Sequence, residues 1–155
     1  MSSTRTMGIA ITDTGTTQVM PLGFEFHEPA SGDDQGEKVW IYVEASEALV
    51  IGSVCSYAAA ATTVKVRKVP ANTHAGTILG VAQHVIAINA FGFILRRGVG
   101  EVLADSGGTT ANLGLIAGDA VGTADAAAAV TDASFGVAQE AVASGLATCW
   151  INCQG

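Results

Sequence analysis

The residues best suited to hold a metal ion lie close together near the amino terminus. Glu25 and His27 are two residues apart, so an extended segment would present both side chains on one face, and Asp33 and Asp34 follow them. The intervening stretch, residues 29–36, has the polar, glycine-containing composition of an ordinary surface loop. We therefore predict a solvated loop at this position, with no metal site and no cofactor.

The sequence also lacks the usual patterns of catalytic residues. Walker loops, His-Glu-x-x-His, Gly-x-Ser-x-Gly, Cys-x-x-Cys pairs and EF-hand spacings do not occur in it. Cys55 has small and apolar neighbours typical of a buried thiol, and His74 and His84 have no nearby carboxylate or cysteine in sequence with which to form a nucleophilic pair. The sequence thus predicts a protein that is not an enzyme and has no catalytic residues.

A glycine-rich segment at residues 98–100 begins like a dinucleotide-binding fingerprint. The third glycine of that fingerprint is missing, and no helix-forming segment follows. We interpret these residues as a turn that joins two strands.

The composition describes one acidic domain with a weakly charged surface. The chain has 155 residues and a formal net charge of −7, which opposes direct binding to nucleic acid. Charged residues make up 14% of the chain, against about 25% in typical soluble domains, and such a surface usually contacts another protein. Residues 73–95 contain no Asp, Glu, Lys or Arg, but glutamine, histidine, asparagine and glycine interrupt them, so we predict no membrane span.

Cysteine usage and the amino terminus both indicate synthesis in the cytoplasm. The first residues lack the apolar run of a secretory signal. Cys55, Cys149 and Cys153 are odd in number, and a strand over 148–152 would place the last two about 13 Å apart, too far for a disulfide. We predict three reduced thiols.

Segments rich in β-branched and aromatic residues predict an all-β fold with little helix. The predicted strands are residues 38–44, 64–69, 92–97, 100–104 and 148–152. In the first strand, aliphatic residues alternate with Lys38, Trp40, Tyr42 and Glu44, which predicts a core face and an amphipathic face that exposes the two aromatic residues.

An internal repeat organises the rest of the chain. Gly80-Val-Ala-Gln83 recurs as Gly136-Val-Ala-Gln139, and an apolar segment follows each copy ten residues later. The segments upstream also match in order, which predicts two β units over residues 49–98 and 115–155. Two such units within one β domain at 21–155 favour a small β-barrel or sandwich, since closure of a barrel removes exposed strand edges.

The first twenty residues differ from the rest of the chain in composition. They contain six threonines and two serines but no aromatic residue, so they cannot form a core of their own. We predict an extended arm over 1–20 that docks on a partner or a neighbouring subunit.

Charge is distributed unevenly between the two predicted units. Six of the seven basic residues lie between 38 and 97, whereas residues 98–155 contain six acids and no base. This pattern fits a head-to-tail contact between subunits that closes into a ring, and it fits equally well two solvated faces of a monomer. The candidate inter-subunit charges are Lys65, Arg67, Arg96, Arg97, Glu101 and Asp119.

The order of these glycine-rich and apolar segments resembles a known protein family. Gly80-Val-Ala, the apolar strand at 90–95 and Gly98-Val-Gly-Glu-Val102 are arranged as in the small capsid decoration, or cement, proteins of tailed bacteriophages. The resemblance covers residues 45–155 in pattern and the arm in composition, while the stretch 25–44 departs from it. It implies a compact β domain that forms trimers on the outside of the expanded capsid.

The resulting hypothesis is a structural virion protein, made in the host cytoplasm, that binds the major capsid protein on the outer capsid surface. It would stabilise the expanded capsid as a homotrimer, with the arm adding a strand to the capsid protein. The arm residues expected to bind are Thr4, Arg5, Thr6, Met7, Ile9, Ile11, Thr14, Thr16 and Val19. The apolar and aromatic residues expected beside them are Phe24, Phe26, Trp40 and Tyr42.

Three alternatives stay open on the sequence. A carbohydrate-binding or adhesive module would use Trp40 and Tyr42 as an exposed aromatic pair, together with the acidic loop at residues 33–34. A metal-dependent enzyme would use Glu25 and His27 as ligands. Another structural virion protein, such as a tail-tube subunit, would share the composition.

Overall fold

The structure is a computed structural model that describes residues 5–6, 8–30, 32, 36–58, 64–128 and 133–155. These residues form twelve strands and one short 3-10 helix at Ala75–Thr77, which confirms the predicted all-β class. The strands are β1 (Arg5–Thr6), β2 (Ile9–Ala10), β3 (Glu25–Glu28), β4 (Lys38–Ala45), β5 (Val54–Tyr57), β6 (Lys65–Lys68), β7 (Ile78–Val81), β8 (Phe91–Ala104), β9 (Leu115–Ala117), β10 (Ala124–Ala126), β11 (Gly136–Ala138) and β12 (Gly145–Asn152). No helix in the described ranges has the length and apolar character needed to cross a membrane.

Five strands close into a first barrel. β4 pairs in parallel with β6 and antiparallel with the first half of β8, while β5 lies between β6 and β7, and β7 returns to β8. The alternating aliphatic residues of β4 point into this barrel, where Ile41 and Val43 pack with Leu49, Leu79 and Ile94. The predicted core face of β4 is therefore correct.

The same arrangement recurs in a second barrel. The second half of β8 pairs in parallel with β10 and antiparallel with β12; β9 pairs with β10, and β11 pairs with β12. The barrel closes between β9 and β11, where Gly114 bridges Val137 and the Phe135 N–H donates to the Leu115 carbonyl at 3.0 Å. The two barrels thus share one strand order.

Matching hydrogen bonds establish which residues are equivalent in the two barrels. The Gly52 N–H donates to the Ala82 carbonyl at 2.7 Å, and the Asn112 N–H donates to the Ala138 carbonyl at 2.8 Å. Both donors have a positive φ, 82° at Gly52 and 67° at Asn112, a conformation that glycine and asparagine tolerate best. The structural units run over residues 38–97 and 97–152, whereas the sequence repeat predicted 49–98 and 115–155.

β8 belongs to both barrels, because Arg97 pairs with Val39 of β4 and also with Asn152 of β12. The prediction of a turn at residues 98–100 is wrong, since the strand continues through them. Gly98 has a φ of 123°, and a side chain there would meet Lys38. The glycines therefore allow β8 to bend and to pass close to neighbouring residues.

The amino-terminal segment folds back over the outer face of the first barrel. Ile11 and Met20 pack in the same apolar cluster as Trp40 and Tyr42, and the Val19 N–H donates to the Tyr42 hydroxyl at 3.3 Å. Trp40 and Tyr42 are only 7% and 2% exposed as a result. The prediction of an exposed aromatic face is wrong, because a distant part of the chain covers it.

Candidate docking surfaces

The predicted arm lies along its own barrel over the residues that the structure describes. Thr4 and Met7 lie outside the described residues, and β1, which contains Arg5 and Thr6, pairs with β2. Ile9 is half-buried and Ile11 is buried against the barrel, so in this conformation Ile11 is not available to a partner. Among the candidate arm residues whose burial the structure describes, Thr14, Thr16 and Val19 are exposed to solvent.

The four aromatic candidates divide into two pairs. Phe24 and Phe26 are half-buried and pack against the edge of the apolar cluster. Trp40 and Tyr42 are buried within it, and the Trp40 indole N–H donates to the Glu28 carboxylate at 2.9 Å. In this conformation Trp40 and Tyr42 are not on the surface, so the aromatic pair that a carbohydrate-binding module would use is buried.

Most of the candidate inter-subunit bases already have partners within the chain. Lys65 Nζ lies 2.7 Å from the Glu44 carboxylate, Arg96 pairs with Glu25, and Arg97 lies 4.0 Å from Glu37. Arg67 carries a buried Nε with no hydrogen-bond partner among the described residues. Of the acids, Glu101 is half-buried at the junction of the barrels, while Asp119 is exposed. Because most of these bases are already paired within the chain, they are poorly placed to form ion pairs with an acidic face of a neighbouring subunit.

The residues considered as metal ligands are engaged in the same way. His27 Nδ1 lies 2.6 Å from the carboxylate of Glu37, and Glu25 binds Arg96. Asp33 and Asp34 lie outside the described residues. No group of three or more potential metal ligands forms within the part of the chain that the structure describes.

An acidic turn in the second barrel has a structural explanation. The buried carboxylate of Asp105 accepts the N–H groups of Gly107 at 2.8 Å and Asp119 at 2.6 Å. Desolvation raises the pKa of the nearby Asp125 above its usual value, and the charges of Asp105 and Asp119 add to this shift. Asp105 therefore stabilises this turn through hydrogen bonds to its backbone.

The possible nucleophiles and bases are poorly suited to catalysis. Cys55, Cys149 and Cys153 are free and buried. Burial raises the pKa of Cys55 to about 12, so its thiol is protonated and weakly nucleophilic at neutral pH. Burial lowers the pKa of His84 below its usual value, and its Nε2 has no hydrogen-bond partner among the described residues.

One end of the first barrel carries a cluster of exposed aliphatic side chains. Loops 49–53 and 83–90 meet there, because the N–H groups of Leu49 and Ile86 each donate to the other's carbonyl, at 2.8 and 3.1 Å. Leu49 and Ile86 themselves are buried in the barrel. We call the exposed residues around them the aliphatic loop pair: Val50, Ile51, Val85 and Ile88.

The second barrel forms the same loop pair with smaller residues at the exposed positions. Thr109 and Val142 exchange the equivalent hydrogen bonds, at 2.8 and 3.2 Å. The positions equivalent to Val50, Ile51 and Val85 of the first barrel carry Thr110, Ala111 and Ala141. At these positions the turn therefore folds without large exposed aliphatic side chains, which favours an intermolecular contact as the reason for those in the first barrel. Aligning the two sequence copies through Gly52 and Asn112 would have revealed this difference.

The two barrels meet through a glutamine side chain. The Gln83 amide donates to the Glu101 carbonyl at 2.9 Å and accepts the Glu101 N–H at 2.8 Å. The residue of the first barrel that is equivalent to Glu101 is Tyr42. Its N–H donates to the Phe24 carbonyl at 2.9 Å, and its carbonyl accepts the Gly23 N–H at 2.8 Å. The side chain of Gln83 thus forms, at the strand edge of the second barrel, the hydrogen bonds that backbone groups form at the same edge of the first barrel.

Comparison with known proteins finds similarity at the level of the fold. No family model and no curated protein sequence matches this chain. The chain is similar to the crystal structure of the head fiber gp8.5 N base of bacteriophage phi29, with a TM-score of 0.56 and 19% sequence identity. The match covers 74% of this chain and 94% of the fiber base. At this identity the likeness shows a shared fold.

Proposed function

We propose that this chain is a structural virion protein of a tailed bacteriophage that binds the outer surface of the capsid. The observation that carries the proposal is the fold shared with a protein from the head of phage phi29. The sequence resemblance to capsid decoration proteins supports the same role. Buried thiols and carboxylates bound to basic or backbone groups favour a binding role over catalysis.

The proposed partner is the major capsid protein in its expanded shell. A ligand that binds one state of an assembly better than another stabilises that state by mass action, so preferential binding would stabilise the expanded capsid. The exposed residues that we expect to contribute are Thr14, Thr16 and Val19 of the amino-terminal segment, with Phe24 and Phe26 beside them.

We also propose a homotrimer, with the aliphatic loop pair as the contact between subunits. The charged residues are less suitable, because Lys65, Arg96 and Arg97 each have a carboxylate within the chain. Exposed side chains such as Val85 and Ile88 are costly to leave in water, and burying them against another subunit would stabilise a trimer.

Co-sedimentation with capsids tests the function. Purified protein is mixed with expanded, DNA-free shells and, separately, with unexpanded procapsids of the phage that encodes it. We expect saturable binding to the expanded shells. Replacing Val19 with Ser should weaken this binding, whereas Val121→Ser is a matched control, since both valines are 58% exposed. Absence of binding to either shell would overturn the proposal.

Light scattering tests the trimer. The parent protein should have a mass about three times the 15.6 kDa of the monomer. The double variant Val85→Ser/Ile88→Ser should shift to the monomer mass while keeping the same circular dichroism spectrum. A monomeric parent in solution and on the shell would contradict this part of the proposal.

A further inference from the structure

The repeated tetrapeptide occupies the same structural position in each barrel. Val81 lies opposite Leu95 in the pairing of β7 with β8, and Val137 lies opposite Trp150 in the pairing of β11 with β12. The alanine that follows each valine is buried inside its own barrel. The valine and the glutamine of each copy therefore face outward, away from the barrel interior.

In the first barrel this outward surface is covered by the second barrel. Val81 and Leu95 are both 0% exposed. Leu95 lies against Gly100, and Gln83 binds the backbone of Glu101, so two successive residues of the second half of β8 receive the contact. The surface made by Val81, Gln83 and Leu95 thus binds the strand edge of the second barrel at Gly100 and Glu101.

In the second barrel the described residues leave the equivalent surface partly exposed. Val137 is 40% exposed and Trp150 is 39% exposed, and Gln139 projects into solvent. Trp150 replaces the leucine of the first barrel with a side chain that is enriched among the residues that dominate binding energy. We call Val137, Gln139 and Trp150 the distal surface.

We propose that the distal surface binds an unpaired β-strand edge of another protein in the way that the first barrel binds the second. Gln139 would donate to the carbonyl and accept the N–H of one residue, as Gln83 does at Glu101. Val137 and Trp150 would pack against the neighbouring strand positions, where a glycine like Gly100 leaves room for a large side chain. Naming that protein as the major capsid protein rests on the proposed function.

A second copy of this chain does not offer the equivalent edge. The position that corresponds to Glu101 is Tyr42, and both of its backbone groups are already bound by Gly23 and Phe24 of the same chain. The amino-terminal segment therefore caps this edge of the first barrel, and the distal surface of a second copy cannot bind there. Terminal repeats cap a repeat protein in a similar way. With this edge of a second copy closed, the partner that we propose is a protein of different sequence.

The partner surface should also be neutral or basic around this edge. Residues 98–155 contain six acids and no base, and Glu140 follows Gln139 directly. Like charges across an interface suppress binding, so an acidic strand edge is disfavoured.

The experiment compares three variants for binding to expanded shells. Gln139→Ala and Trp150→Ala should each raise the dissociation constant by about tenfold or more, because each removes a central contact. Val121→Ala, an exposed valine of the same barrel on the loop after β9, should bind like the parent. Urea midpoints within error of the parent establish that the variants are folded.

The outcomes separate this inference from the proposed function. Tight binding by the parent together with unchanged binding by Gln139→Ala and Trp150→Ala would overturn the inference and leave the function standing. Failure of the parent to bind any shell would overturn the function and the named partner together. A lower mass of these two variants in light scattering would mean that the surface binds a second copy, which also overturns the inference.

Discussion

Leu95 lies directly against Gly100, five residues further along the same strand. A Cβ built on Gly100 would be only 2.5 Å from Leu95 Cδ2. In a straight strand, residues five apart are about 16 Å from each other. β8 therefore bends sharply between the two barrels, and this bend brings the outer face of the first barrel onto the edge of the second.

We expect Gly100→Ala to destabilise the protein by about 1–3 kcal/mol, because the added methyl group overlaps Leu95 and the Gln83 amide. Urea unfolding measures the change. Gly15→Ala is the control, since a Cβ at Gly15 meets nothing within 4 Å, and its stability should stay within about 0.5 kcal/mol of the parent. Equal effects of the two substitutions would contradict the tight bend.

Gln83→Ala should cost about 1–3 kcal/mol of stability, because it leaves the N–H and carbonyl of Glu101 without the partners that the structure gives them. Gln139→Ala is an unusually close control, since it changes the same residue of the repeated tetrapeptide at an exposed site. Its effect should be below about 0.5 kcal/mol. Thermal or urea unfolding of both variants decides the matter, and a neutral Gln83→Ala would refute the junction described above.

Stability should fall at alkaline pH through the buried thiol of Cys55. Burial raises its pKa from 9.0 to about 12, so above pH 9 the unfolded chain has lost a proton that the folded chain retains. The free energy of unfolding then decreases by about 1.4 kcal/mol per pH unit from this thiol until its folded pKa is reached. Below pH 9 the thiol contributes no pH dependence.

The variant Cys55→Ala lacks this proton, so its stability should decline less steeply with pH than that of the parent. Urea unfolding at several pH values between 8 and about 11 provides both slopes. Parallel curves for parent and variant would show that Cys55 ionises as an ordinary exposed thiol.

The two tryptophans should report separately on the core and on the distal surface. Trp40 is buried and hydrogen-bonded to Glu28, whereas Trp150 is 39% exposed. Acrylamide should quench the fluorescence of Trp40→Phe, which retains Trp150, several-fold more strongly than that of Trp150→Phe. Addition of expanded shells should protect Trp150 from the quencher and leave Trp40 unchanged. Strong quenching of Trp150→Phe would contradict the burial of Trp40.

Local sequence patterns were sufficient where a residue's environment depends on its own element. The alternation of β4 correctly predicted that Ile41 and Val43 face the core. The same alternation could not show that the amino-terminal segment reaches Tyr42 through Val19, because that contact joins residues more than twenty positions apart. Periodicity reports the two faces of a strand, and only tertiary packing decides whether the second face meets solvent.

The glycines of β8 give a wrong local prediction for a related reason. Gly98 and Gly100 are common turn residues, and nothing local distinguishes a turn from a bent strand whose neighbours exclude a side chain. The repeated tetrapeptide was visible in the sequence, but the difference between its two copies was not. Gln83 and Gln139 have identical neighbours on their amino-terminal side, and only the structure shows that one is bound and the other exposed.

The strand shared by the two barrels makes the duplicated unit indivisible. Removing either half of the chain would take a strand from the half that is left, so neither barrel could be excised, exchanged or lost in evolution as a module of its own. We expect the described protein to unfold in a single cooperative transition, and cleavage within residues 98–100 to disable both barrels at once. The stability of each barrel therefore depends on the strand that it shares with the other.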